Sequence, residues 1–110
     1  IIFVFVNIFF IKVFNRIYRQ ITAASGGIGF STGYTRGLIK QIIVKPATSS
    51  TIYDFAISDG SSLNIFEREA VADELNETIE IPVNSSLLVA VSNASVNELF
   101  KVLIVIEETS

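Results

Sequence analysis

"TIYDFAISDGSSLNIF", residues 51–66, reads as one β-hairpin. Tyr53, Phe55 and Ile57 alternate with Asp54 and Ala56, the two-residue period of a strand with one buried face. "SDGS" (58–61) supplies turn chemistry, with Gly60 placed where a positive φ is expected. "SLNIF" (62–66) then resumes the apolar run and completes the hairpin.

The same alternation extends outward on both sides. Towards the N-terminus, "LIKQIIVKP" (38–46) is a strand stopped by Pro46. Towards the C-terminus, "EREAVADEL" (67–75) breaks the pattern and predicts a short helical turn or loop. "TIEIPV" (78–83) resumes it, with Pro82 favouring an edge position or a bulge. "NSS" (84–86) reads as a turn into "LLVAVS" (87–92), and "NASVNE" (93–98) as a turn into "LFKVLIVIEE" (99–108). In that last strand Leu103, Ile104, Val105 and Ile106 are apolar on both faces, which predicts a central strand or one covered on its second side. Short strands with polar turns between them give the expected fold class: all-β, an antiparallel β-sandwich or jelly-roll-like domain over residues 35–110.

Ahead of that domain the sequence changes character. Residues 22–34, "TAASGGIGFSTGY", are small and uncharged and read as a flexible joint. Residues 1–21 read as an apolar and basic arm or helix. Its first fourteen residues, "IIFVFVNIFFIKVF", contain only Asn7 and Lys12 that are not apolar. Projected as a helix, residues 8–21 gather Lys12, Asn15, Arg16, Arg19 and Gln20 within about 140° of arc, an amphipathic basic pattern. Residues 1–6 are β-branched and aromatic and suit a strand equally well. A fourteen-residue helix spans about 21 Å, short of a hydrocarbon core of about 30 Å. Reaching Tyr18 lengthens the segment only by taking Lys12 and Arg16 along, so membrane contact through residues 1–18 is marginal. With no methionine, even at position 1, the chain reads as a processed product, a fragment or part of something longer.

Charge is segregated along the chain. Residues 1–45 carry six bases and no acid; residues 46–110 carry all eleven acids against Arg68 and Lys101, a net −9. This suggests a basic arm that meets an acidic body, within one chain or between two. Six dispersed bases without interleaved aromatics are a poor footprint for nucleic acid, and none is expected as a partner.

The inventory for chemistry is thin. The absence of cysteine and histidine removes disulfides, thiol catalysis, the commonest general base and the commonest metal ligand. A nucleophilic serine would need Lys40, Lys45 or Lys101 as its base, and no motif surrounds any of them. The acids Glu67, Glu69, Asp73, Glu74, Glu77 and Glu80 cluster, but in a predicted loop and strand edge where solvated charge is the ordinary explanation. Asp59 in "SDGSS" has only a faint likeness to a calcium loop. The glycines of "SGGIGFSTG" (25–33) lack the lysine of a phosphate cradle. Asn76, Asn84 and Asn93 begin glycosylation sequons that also read as chance turns. Tyr18, Tyr34 and Tyr53 are scattered and form no stacking platform. No enzyme activity, catalytic residue, cofactor or metal is expected.

From Gly33 to Glu107 the layout resembles small all-β structural proteins of tailed bacteriophages, in particular those of uncultured marine phages. "GYTRGLIKQIIVKPATSSTIYDF", "SDGSSLNIFER", "IEIPV" and "VSNASVNELFKVLIVIEE" carry the resemblance. It implies a β-sandwich in the virion, as a capsid-decoration, tail or fibre module, that binds copies of itself and neighbouring virion proteins. An apolar arm would otherwise expose more surface than a monomer tolerates, so a homo-oligomer assembled through that arm is expected. The alternative of another class is a cell-surface or pilin-like filament subunit with an N-terminal hydrophobic helix and a β head.

Overall fold

A computed structural model describes residues 12–108, and it folds them into six antiparallel strands. These are β1 (Val13–Thr22), β2 (Ile28–Pro46), β3 (Ile52–Ser58), β4 (Asn64–Ala72), β5 (Leu75–Ser92) and β6 (Leu99–Glu108). They are hydrogen-bonded in the order β1-β6-β2-β5-β3-β4. No helix among the described residues is long and apolar enough to cross a membrane.

Two strands are unusually long. β2 has 19 residues and β5 has 18, and they pair from Ile28↔Val91 to Val44↔Leu75. Each flanking pair of strands, β1 with β6 and β3 with β4, uses only one end of this ribbon. β6 pairs with Gly37–Pro46 of β2, and β3 pairs with Leu88–Ser92 of β5. One layer therefore contains β1, β6, the second half of β2 and the first half of β5. The other contains the first half of β2, the second half of β5, β3 and β4. Counted as eight segments, the first pairs with the last, the second with the seventh, the third with the sixth and the fourth with the fifth. That is a jelly roll.

The two layers close on one core. Ile17, Ile104 and Ile42 lie opposite one another in the first layer, and Phe55↔Val91 and Ile57↔Val89 do so in the second; all are buried. Tyr53 of β3 meets Phe100 of β6 edge-on, with ring centroids 4.9 Å apart, although the two strands are not neighbours in the sheet. The ribbon bends near Gly33, whose φ of 76° sits within a register shift between Ser31 and Tyr34. Four residues on, a Cβ at Gly37 would lie 2.1 Å from the Glu107 carbonyl, so only glycine lets the β2–β6 pairing extend to Glu108, the last residue of β6.

The 51–66 hairpin forms as its sequence predicts, with Ile57 opposite Phe66. The positive φ, however, falls on Ser62 (68°) rather than Gly60. β6 lies between β1 and β2, as its two apolar faces require. Pro82 opposes Leu38 in the half of β5 whose second side has no strand paired to it among the described residues, the first of the two placements expected, an edge or a bulge.

Four expectations differ from the structure. Residues 13–21 of the expected arm form not a helix but β1, part of the chain's own sheet and paired with β6 along its whole length. Residues 1–11 lie outside the described residues. Residues 22–34 are no free joint, since β2 starts at Ile28. The connection before it is held by Ala23 N–H to the Glu98 carbonyl and Asn97 N–H to the Ala23 carbonyl, each 2.8 Å. Residues 67–72 continue β4, with a bulge at Ala70 (φ 50°) that disguises the alternation. The "NSS" turn at 84–86 does not exist: Asn84, Ser85 and Ser86 pair with Arg36, Thr35 and Tyr34 inside one bent strand.

Candidate functional site: the two outer faces

Because side chains alternate along each strand, the register that fills the core also fixes what each layer shows outside. In the first layer the outward rows run Arg16–Val105–Gln41, Tyr18–Leu103–Ile43 and Gln20–Lys101–Lys45 across β1, β6 and β2. An apolar row thus lies between two rows that carry Arg16, Lys101 and Lys45. Phe14 begins the next row, beside Glu107. Glu107 is itself answered by Lys12 and Lys40, each 3.8 Å away. Lys40 also binds Glu80, and that bond raises the lysine's pKa and lowers the glutamate's.

The second layer is built differently. Its outward rows run Ser31–Leu88–Ser58 and Gly29–Ala90–Ala56–Glu67, with Asp54 opposite Ser92. In these rows the side chains are small and the charged ones acidic, and Leu88 and Ile52 stand exposed, while Tyr34 and Arg36, opposite Ser86 and Asn84, stand exposed nearer the bend. A shallow depression of about 340 Å³ lies beside Leu88, with Gly27, Gly29 and Ala90 in its wall. Asp54 accepts a bond from the Ala70 N–H (2.8 Å) and another from the Asn93 side chain. The first of these is the main reason its pKa falls, and together they pin the β4 bulge to the β5–β6 connection.

The residues weighed for chemistry are dispersed by the fold. Lys40 is engaged with acids, while Lys45 and Lys101 face each other across the β2–β6 ladder; among the described residues none hydrogen-bonds a serine. Of the acids, Glu77 forms a fork with Arg68, both bonds 2.7 Å. That fork ties β4 to the first half of β5 and closes one flank of the sandwich. Asp59 turns its Oδ1 into its own loop, accepting from the Ser61 hydroxyl (2.6 Å), the Ser61 N–H (2.9 Å) and the Leu63 N–H (3.4 Å). These bonds, led by the Ser61 hydroxyl, hold its pKa down. No group of three acids placed to hold a metal occurs among the described residues. Asn76, Asn84 and Asn93 bond Gln41, Tyr34 and Asp54 respectively.

Two residues take roles that their sequence context does not announce. Glu98 accepts from the Thr51 hydroxyl (2.8 Å) and the Thr48 N–H (3.1 Å), stapling the β2–β3 connection to β6 and keeping its own pKa low. Arg19 lies over the Phe30 ring, 5.7 Å from its centroid, and covers the flank between β1 and the first half of β2. Neither has a local sequence signal; each depends on a partner more than ten residues away.

The geometry defines the chain as an all-β jelly-roll module with two unlike outer faces. In comparisons with known proteins, no family model matches the chain and no curated protein matches it.

Proposed function

We propose that this chain is a non-enzymatic virion structural protein, a capsid-decoration, tail or fibre module of a tailed bacteriophage that assembles with copies of itself. The observation that carries the reading is the pair of outer faces. A rigid jelly roll exposes Phe14 and Tyr18 among bases on one side, and Ile52 and Leu88 among acids on the other. Exposed apolar groups ringed by charge are the usual anatomy of a protein–protein interface. Jelly rolls recur in viral capsids, a fold-level analogy that agrees with the resemblance over residues 33–107. β1, the described part of the N-terminal region, contributes Phe14, Arg16 and Tyr18 to the assembling surface. The pilin-like alternative places a long helix here, and residues 13–22 are a strand.

Size-exclusion chromatography with light scattering on the full chain tests the assembly, and oligomers at micromolar concentration are the expected result. A monomer at every concentration would overturn it. Peptides of the chain are expected in density-purified phage particles. Their confinement to cell-surface filaments would replace the virion reading with the filament one.

A further inference from the structure

We infer that copies of this chain stack head to tail, with the basic outer face of the β1-β6-β2 layer docked on the acidic outer face of the β5-β3-β4 layer of the next copy. The inference rests on the self-assembling reading above and names the surfaces that perform it.

Three observations on opposite sides of the molecule carry it. The first is charge. Arg16, Lys45 and Lys101 project from the first face and none has an ion-pair partner among the described residues. Asp54 and Glu67 belong to the second, with Glu69 two residues along β4 from Glu67. The rows Ser31–Leu88–Ser58 and Gly29–Ala90–Ala56–Glu67 carry no base; Arg36, opposite Asn84, stands apart from them at the bend beside Gly37. The second is apolar surface. Phe14 and Tyr18 are 49% and 48% exposed on the first face, and Ile52 and Leu88 are 59% and 50% exposed on the second. The third is relief. The first face is bulky, with Tyr18, Leu103 and Ile43 in one row; the second is shallow, and its depression beside Leu88 gives a large side chain room to enter.

Like faces repel, because two basic faces or two acidic faces would bury charges of one sign together. Unlike faces attract, and since they lie on opposite sides of the sandwich each added copy presents a fresh one. Such a contact is heterologous and makes a ring or a filament rather than a closed dimer.

A charge-swap mixture tests this on the full chain. One variant carries Arg16→Glu and Lys101→Glu, so that both of its faces are acidic. The other carries Glu67→Lys and Glu69→Lys, so that both are basic. All four positions are exposed, and both variants are expected to melt close to the unaltered chain. Each alone is expected to associate at least about tenfold more weakly, and an equimolar mixture to recover association to within about threefold. Should either variant fail to fold, Lys45→Glu or Leu88→Ser replaces it, with the same loss expected.

Loss in both variants without recovery in the mixture would overturn the head-to-tail pairing. Undiminished association in both would place the interface elsewhere, overturning this inference while leaving self-assembly standing. An unaltered chain that never associates would overturn the reading on which it rests.

Discussion

The two layers of the sandwich are nearly interchangeable inside and opposites outside. Inside, Ile17, Ile42 and Ile104 of one layer and Phe55, Ile57 and Val89 of the other are buried in the same cluster. Outside, away from the bend that carries Tyr34 and Arg36, one layer shows aromatic and basic groups, the other small and acidic ones. Inner faces answer to packing, which rewards any well-fitted apolar set and gives both layers similar contents. Outer faces are free of that demand, so their divergence points to what the molecule meets.

The harshest way to break the comparison is to charge the shared core from either side. Ile104→Asp and Ile57→Asp each bury an unpaired carboxylate among apolar side chains, at a cost of several kcal/mol, roughly the whole stability of a small domain. Both are expected to abolish cooperative melting in far-UV circular dichroism. If one variant kept a folded half, the layers would be separate units rather than one core.

How much of this was legible follows from where the signal is local. β3 and β6 were readable because Tyr53, Phe55 and Ile57 alternate and because residues 103–106 are apolar on both faces. The bend of the long ribbon was not. Asn84, Ser85 and Ser86 are turn residues by composition, and only their pairing with Arg36, Thr35 and Tyr34 makes them strand. β1 was ambiguous for a geometric reason: its buried residues, Ile17 and Ile21, are four apart, a spacing that serves a helix and a strand alike. In β4 the extra residue at Ala70 shifts the phase, so the alternation fails just where Glu67, Arg68 and Glu69 add charge. The outer faces were half legible. Charge segregation along the chain was plain, but sorting it onto two sides of a sandwich needs the register.

Glycine substitutions sharpen the comparison at the bend where the layers part. Gly37→Ala forces a Cβ against the Glu107 carbonyl at 2.1 Å and is expected to lose about 2 kcal/mol or more, with the β2–β6 pairing frayed in hydrogen exchange. Gly33→Ala meets no atom of the described residues within 4 Å and faces its positive φ, so a loss of about 1 kcal/mol is expected. Equal losses would mean that conformational freedom, not the close approach of β6, sets the requirement.

Tyr53 joins the layers, and its hydroxyl donates to the Asp73 carbonyl at 2.8 Å. Tyr53→Phe keeps the contact with Phe100 and removes that bond, an expected loss of about 1 kcal/mol near neutral pH. Burial pushes the phenol up to about 12 from its ordinary 10.0. Because its folded pKa is raised, the stabilisation from the neutral phenol is complete below pH 10 and drains away as pH climbs towards 12. The melting temperature of the unaltered chain should therefore fall more steeply over that interval than that of Tyr53→Phe. Parallel curves would show that the ring is less enclosed than its packing between β3 and β6 implies.

The smallest effect belongs to the outside of the first layer. Lys40 is partly exposed, and its bond to Glu80 and approach to Glu107 are screened by water and salt. Lys40→Gln is expected to leave stability almost unchanged, the more so in high salt. Among the described residues the same substitution leaves Glu107 with Lys12 alone, loosening the pairing that keeps an acid from spoiling the basic face. Self-association should thus weaken by a few-fold while the melting temperature barely moves. A change of the opposite kind, stability lost and association kept, would mean that this network serves the fold rather than the face.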